Sequence, residues 1–171
     1  MRFIVFLASL FFLSGCADSH QLMRTVNSSV KLERSASVYI AVPRDGQYGQ
    51  TMYQGSGVNT SQIILLEFLK YIASVQTGFD YQTYKEAFTY AKDKKYNYLV
   101  FPTILEWEDR ATEWSGIPDK ASIKIAIIST ETGKTIDSAI IKGKSGLATF
   151  GGDHPQDLLP KPVEEYVGTL Y

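Results

Sequence analysis

The sequence predicts an α/β (α+β) domain, a mixed sheet of about four to five strands with two or three helices on one face. The expected order is β-α-(β)-α-β-β-β-α. Three observations lead there. Runs rich in β-branched and aromatic residues at 37–42 and 96–107 are separated by two stretches of helical spacing. Alternating apolar residues flank Glu131-Thr132-Gly133-Lys134, as in a hairpin. An apolar stripe of helical period ends the chain.

Ser37–Val42 (SVYIAV) reads as a buried strand that stops at Pro43. Residues 43–58 hold four glycines and one proline and read as a long irregular loop, a length that is usually functional or disordered. From Asn59 to Val75 the spacing of Leu65, Phe68, Leu69, Ile72 and Val75 predicts one face of a helix, with Asn59 and Gln62 forming a box-like cap. Gly78 breaks this helix, and Val75–Phe79 can add a short edge strand. Asp80 is expected to cap a second helix, Tyr81–Lys94, with Tyr84, Ala87, Phe88 and Ala91 inward; Lys92, Lys94 and Lys95 suit its carboxyl end. Tyr96–Trp107 is apolar on both faces, hence a central strand, and Pro102 should bend or bulge it. Ser122–Ser129 and Thr135–Ile141 form the hairpin. Gly143–Asp153 is a second Gly-rich loop. Val163, Tyr166, Val167 and Leu170 then line a short closing helix behind Pro160 and Pro162.

Ahead of the domain, Arg2 gives a positive start and Phe3–Leu13 is apolar apart from Ser9. That run is too short to span a hydrocarbon core of about 30 Å as a stable helix and suits a secretory signal. Leu13-Ser14-Gly15-Cys16 is similar to the lipobox of bacterial lipoprotein signals. The resemblance implies cleavage before Cys16, with a diacylglycerol thioether and an N-acyl chain on that residue. Residues 1–15 are then a cleaved signal peptide, 16–36 the lipidated cysteine with a flexible tether, and 37–171 a single domain. A flexible tether of that length reaches roughly 20–25 Å. Ala17, rather than Asp, follows the cysteine; by the enterobacterial sorting rule this favours the periplasmic face of the outer membrane over the inner membrane. Several acyl chains hold stably where one is marginal, at about 0.8 kcal/mol per buried CH₂.

Composition narrows the function. Removing residues 1–15 leaves 156 residues, one domain with a sizeable core, and a net charge of −2. Without a basic excess, neither nucleic acid nor anionic lipid head groups are expected partners. Cys16 is the only cysteine, so an acylated chain has no thiol for a disulfide, a nucleophile or a metal. The 11 tyrosines are a mild pointer to a recognition surface.

The element order, a strand ending in Glu106-Trp107-Glu108-Asp109, the Thr-Gly-Lys hairpin turn and the closing helix resemble a group of periplasmic domains. These include the amino-terminal domain of the Tol-system β-propeller protein, lipoprotein activators of penicillin-binding proteins, and the curli secretion lipoprotein. The blocks Ser37–Asp45, Tyr53–Gly57 and Asp157–Tyr171 resemble a family of uncharacterised proteobacterial outer-membrane lipoproteins, a domain of unknown function. That family implies no activity to carry over.

Candidate sites are sparse. Gly55-Ser56-Gly57 precedes a helix, where amides could cradle phosphate, but the third glycine and the tight turn of a dinucleotide fingerprint are missing. Glu106, Glu108 and Asp109 could pair for acid–base work, or simply form a solvated strand end. His20 and His154 have no metal-ligand spacing, and His154 suits a helix lead-in. Tyr48, Tyr53, Trp107 and Trp114 are the candidate recognition surface: their loops follow strands that, if parallel, end at one edge of the sheet. The alternative is that both tryptophans pack against the sheet. The expectation is a non-catalytic, periplasm-facing lipoprotein without cofactor or metal, contacting an envelope protein or assembly. A glycan-binding domain, peptidoglycan being the local candidate, is the alternative; an envelope hydrolase is the remote one.

Overall fold

A computed structural model describes residues 18–27, 29, 31–110, 117–146 and 154–171. Its centre is a six-stranded mixed sheet in the order β1-β8-β7-β6-β2-β5. The strands are β1 (Ser19–Val26), β2 (Ser37–Val42), β5 (Ser74–Tyr81), β6 (Tyr98–Glu108), β7 (Lys120–Ser129) and β8 (Thr135–Lys144); β3 (Gln47–Tyr48) and β4 (Thr51–Met52) form a separate small hairpin. The α/β class therefore holds. β2 runs parallel to both β5 and β6, while β6, β7, β8 and β1 are successively antiparallel.

The helices lie on both faces rather than one. Alternation along β2 explains why. Val38 and Ile40 face one layer, containing α1 (Ser56–Leu69) and α3 (Pro160–Gly168), with Ile64, Phe68, Val163, Tyr166 and Val167 inward. Tyr39 and Ala41 face the other, where α2 (Tyr84–Asp93) packs through Ala87 and Ala91 on Leu99 and Ile128. Two small alanines on the inward side let α2 sit close, and both faces of β2 are dry.

The segment expected to be a tether enters the sheet at Ser19. β1 pairs with β8 from Ser19↔Lys144 to Val26↔Ser138, and its burial alternates. Its sequence, SHQLMRTV, reads as polar because an edge strand needs only its backbone and one half-buried face. That face makes specific contacts: His20 Nε2 lies 3.0 Å from Glu165, and Arg24 lies 3.2 Å from Asp137, whose other oxygen accepts from the Tyr166 hydroxyl at 2.8 Å.

Two other expectations shift. The capping residue of α2 is Thr83, in a full capping box with Glu86, because β5 continues through Asp80 to Tyr81. Within α1, Leu69 is 46% exposed and Leu66 60%. The inward stripe is Gly57, Thr60, Ser61, Ile64 and Phe68, and its first half is too small and polar to register in hydrophobic periodicity. Pro102 pairs in register with Ile125, two residues beyond the last β2 partner, where β6 has become an edge on that side. The bulge lies further on, between Ile104 and Glu106.

Candidate functional site

β2 and β6 are parallel neighbours, so the segments leaving their carboxyl ends meet. The backbone N–H of Tyr53 donates to Gly46 O at 2.9 Å, and the Tyr53 hydroxyl donates to Asp109 O at 3.4 Å. The Arg110 guanidinium donates to the Tyr48 hydroxyl and lies 5.0 Å from the centre of that ring. A glycine is required where the two meet: a Cβ on Gly46 would fall 2.5 Å from the Cβ of Trp107.

The four expected recognition residues have different fates. Tyr48 is exposed on the small hairpin, and Tyr53 is half-buried against the main core. Trp107 is 2% exposed and belongs to the core. It cannot be part of an exposed patch, because its position on β6 turns it toward the α1/α3 layer beneath Gly46. Trp114 lies outside the described residues, as does Cys16.

The Gly55-Ser56-Gly57 cradle holds an anion from within the chain. Asp45 accepts from the backbone N–H groups of Gly55 (3.2 Å) and Gly57 (2.8 Å), and Ser56 Oγ lies 3.4 Å from it. A carboxylate at a helix N-terminus satisfies orphan amides and complements the dipole. The place a phosphate would take is thus filled. Gly57 is constrained as well, since a Cβ there would lie 2.2 Å from Pro43 O. Sequence reading missed Asp45; the signal was an Asp-Gly pair shortly before the glycine-rich helix entry.

The acidic strand end is likewise occupied. Lys120 lies 3.3 Å from Glu108 and 3.8 Å from Glu106, and Arg110 lies 3.8 Å from Glu108. Asp119 is fully buried; its carboxylate accepts from the Arg110 backbone N–H at 2.5 Å, and its backbone exchanges hydrogen bonds with Ser145. His154 lies 3.3 Å from Asp109 and precedes a 3₁₀ turn, where its N–H donates to Asp157, so it is a helix lead-in. Among the described residues no group of three His, Cys, Asp or Glu side chains could hold a metal ion. Among the described residues, these polar groups brace the two loops against each other, and the Tyr48–Arg110 pair stays partly open to solvent.

A second feature lies at the β5 edge. Opposite Ala41 of β2 the strand carries extra residues, so that register passes from Ile40↔Thr77 to Val42↔Tyr81. The bulge projects Phe79, which is 92% exposed. Beside it a depression of about 260 Å³ is lined by Tyr39, Thr77, Tyr81, Gln82 and Tyr90. The Tyr39 hydroxyl donates to Gln82 Oε1 at 2.7 Å, and burial pushes its pKa up. A Cβ on Gly78 would come within 2.9 Å of both groups, so a larger residue there would displace the Tyr39–Gln82 pair.

Residues 30–170 match a family described as a domain of unknown function (DUF4823). The chain belongs to this family. No curated protein matches it in sequence. Among solved structures it is similar to PelC from Paraburkholderia phytofirmans, crystallised as a dodecamer, with a TM-score of 0.66 and 14% identity over 90% of this chain and 96% of that one. It is also similar to a DUF330-family protein from Xanthomonas campestris, with a TM-score of 0.51 and 10% identity over 86% and 90%. At such identities the likeness shows a shared fold. The DUF4823 match starts at residue 30, so β1 lies outside it, although β1 pairs with the sheet along its whole length.

Proposed function

We propose that this DUF4823 chain is a non-catalytic lipoprotein of the cell envelope, anchored through acyl chains on Cys16 at the periplasmic face of the outer membrane, that acts by assembling with copies of itself. One observation carries the assembly reading. The β5 strand is an open sheet edge, whose unpaired backbone groups can template pairing with another chain, and it presents Phe79 almost fully to solvent. The topology is compatible with repetition: β1 and β5 are the two sheet edges and run antiparallel, so a copy displaced along the sheet would set its β1 beside β5. Such head-to-tail contacts build rings or filaments. The fold likeness to PelC, a subunit of a dodecamer, supports the same reading.

Native mass spectrometry of the acylated protein, extracted from membranes in mild detergent, tests it. Discrete multimers are expected; a monomer at every concentration would refute self-assembly. Cys16→Ser should abolish lipid labelling, and an unmodified Cys16 in the wild type would refute the anchor. The aromatic depression beside Phe79 favours a second reading, a glycan-binding domain, since exposed rings stack on sugars. Retention on insoluble peptidoglycan that is lost in Tyr81→Ala would select it.

A further inference from the structure

The sheet begins close to the expected anchor. Only Ala17 and Asp18 separate Cys16 from Ser19, the first residue of β1. Three residue steps reach about 10 Å at full extension. This end of the chain is also pinned, because Asp18 accepts from the Gly146 backbone N–H at 3.0 Å and Ser19 is in register with Lys144. A domain held this way cannot stand off the bilayer as a tethered one would.

Register identifies which end comes down. Ser19, Lys144, Lys120 and Glu108 form one row across four strands, and Gln21 and Lys142 pair in the row two residues above. The same end bears the carboxyl termini of β2 and β6, and therefore the Tyr48–Arg110 pair. Between the rows lies a depression of about 280 Å³ whose lining includes Ser19, Gln21, Glu106, Lys120, Lys142 and Lys144. Lys142 and Lys144 are exposed and have no acidic partner among the described residues. Among the described residues, nearby acids are already engaged: Glu106 and Glu108 with Lys120, Asp109 with His154, Asp18 with Gly146.

We infer that this end of the sheet rests on the bilayer, with Lys142 and Lys144 placed against phospholipid head-group phosphates and the Tyr48–Arg110 pair at head-group depth. Lysine stems and tyrosine rings suit that boundary, apolar along their length and polar at the tip. The opposite end, with Lys92, Lys94 and Lys95 at the close of α2, points away from the membrane. The inference rests on the anchor at Cys16.

The test uses the acylated protein reconstituted into vesicles of phosphatidylethanolamine and phosphatidylglycerol, labelled with a membrane-impermeant amine reagent and read by peptide mass spectrometry. Relative to detergent micelles, Lys142 and Lys144 should label several-fold more slowly, while Lys92, Lys94 and Lys95 keep their rates. Equal slowing, or none, with the acyl chains present on Cys16 would overturn the docked orientation alone. An unlipidated Cys16 with protection retained on added vesicles would remove the anchor and leave the lipid-binding surface standing; loss of both would refute both.

Discussion

Asp45 occupies, from within the chain, the place that a glycine-rich helix entry offers to a phosphate. Its carboxylate takes two backbone amides and fixes the angle between β2 and α1. Asp45→Ala should therefore destabilise the fold by about 0.5–2 kcal/mol, the usual range for a lost helix cap. Urea unfolding would measure it, and an unchanged midpoint would mean that solvent caps the helix equally well. Trp107 teaches the complementary point. Its sequence neighbours Glu106, Glu108 and Asp109 suggest an exposed strand end, yet it is buried. The bulge between Ile104 and Glu106 shifts the alternation of β6 by one residue and brings Trp107 onto the core face of Val100, and nothing local to the sequence says that Gly46 will close over it.

At the scale of elements, α1 and β1 are where periodicity misleads, for opposite reasons. The leucines of α1 suggest an inward face that includes Leu69, but Ser61 Oγ donates to Ala41 O at 3.0 Å and sets the helix by its small residues. Phe68→Ala should cost about 3–5 kcal/mol and Ile125→Ala about 2–5, since both side chains are fully buried. Leu69→Ala should stay within about 0.5 kcal/mol, the ordinary range for surface substitutions. Thermal unfolding of the three variants separates them; a large loss at Leu69 would return the helix to its hydrophobic phase. For β1, the amides that bond to β8 between His20 and Arg24 should resist hydrogen exchange well beyond the rate of a flexible segment. Exchange at random-coil rates throughout 19–26 would restore the tether.

The whole molecule shows its tyrosine content in its pH response. Tyr39, Tyr96, Tyr98, Tyr166 and Tyr171 all have pKa values raised above the ordinary 10.0, burial being the largest cause in each. Unfolding frees these phenols to ionise near their ordinary value. Their contribution is thus fully present below pH 10.0 and is lost as pH rises from there toward the folded-state values. Circular dichroism against pH should show stability falling above that point, with a shallower fall in Tyr166→Phe; an identical slope would mean the Tyr166–Asp137 pair does not titrate with unfolding. On the surface, Phe79→Ser should leave the melting temperature nearly unchanged while shifting multimers toward monomer in native mass spectra. Multimers that survive it would move the interface away from the β5 bulge.

Several features of the fold are legible from residues alone. The class, the β7–β8 hairpin, the buried β2 and β6, and the closing helix all follow from alternation, helical spacing and turn chemistry, which act within a few residues. The carboxyl-end convergence of the loops was also legible, because it needs only that β2 and β6 run parallel. The rest depended on contacts between residues far apart in the chain. A polar edge strand acquires its place from β8, a helix takes its phase from the carbonyl of a strand twenty residues earlier, and a second layer on the α2 side is decided by which face of β2 remains uncovered. Local spacing shows which side chains prefer to be buried; only tertiary packing decides what buries them, because close approach is governed by the size and hydrogen bonds of both partners.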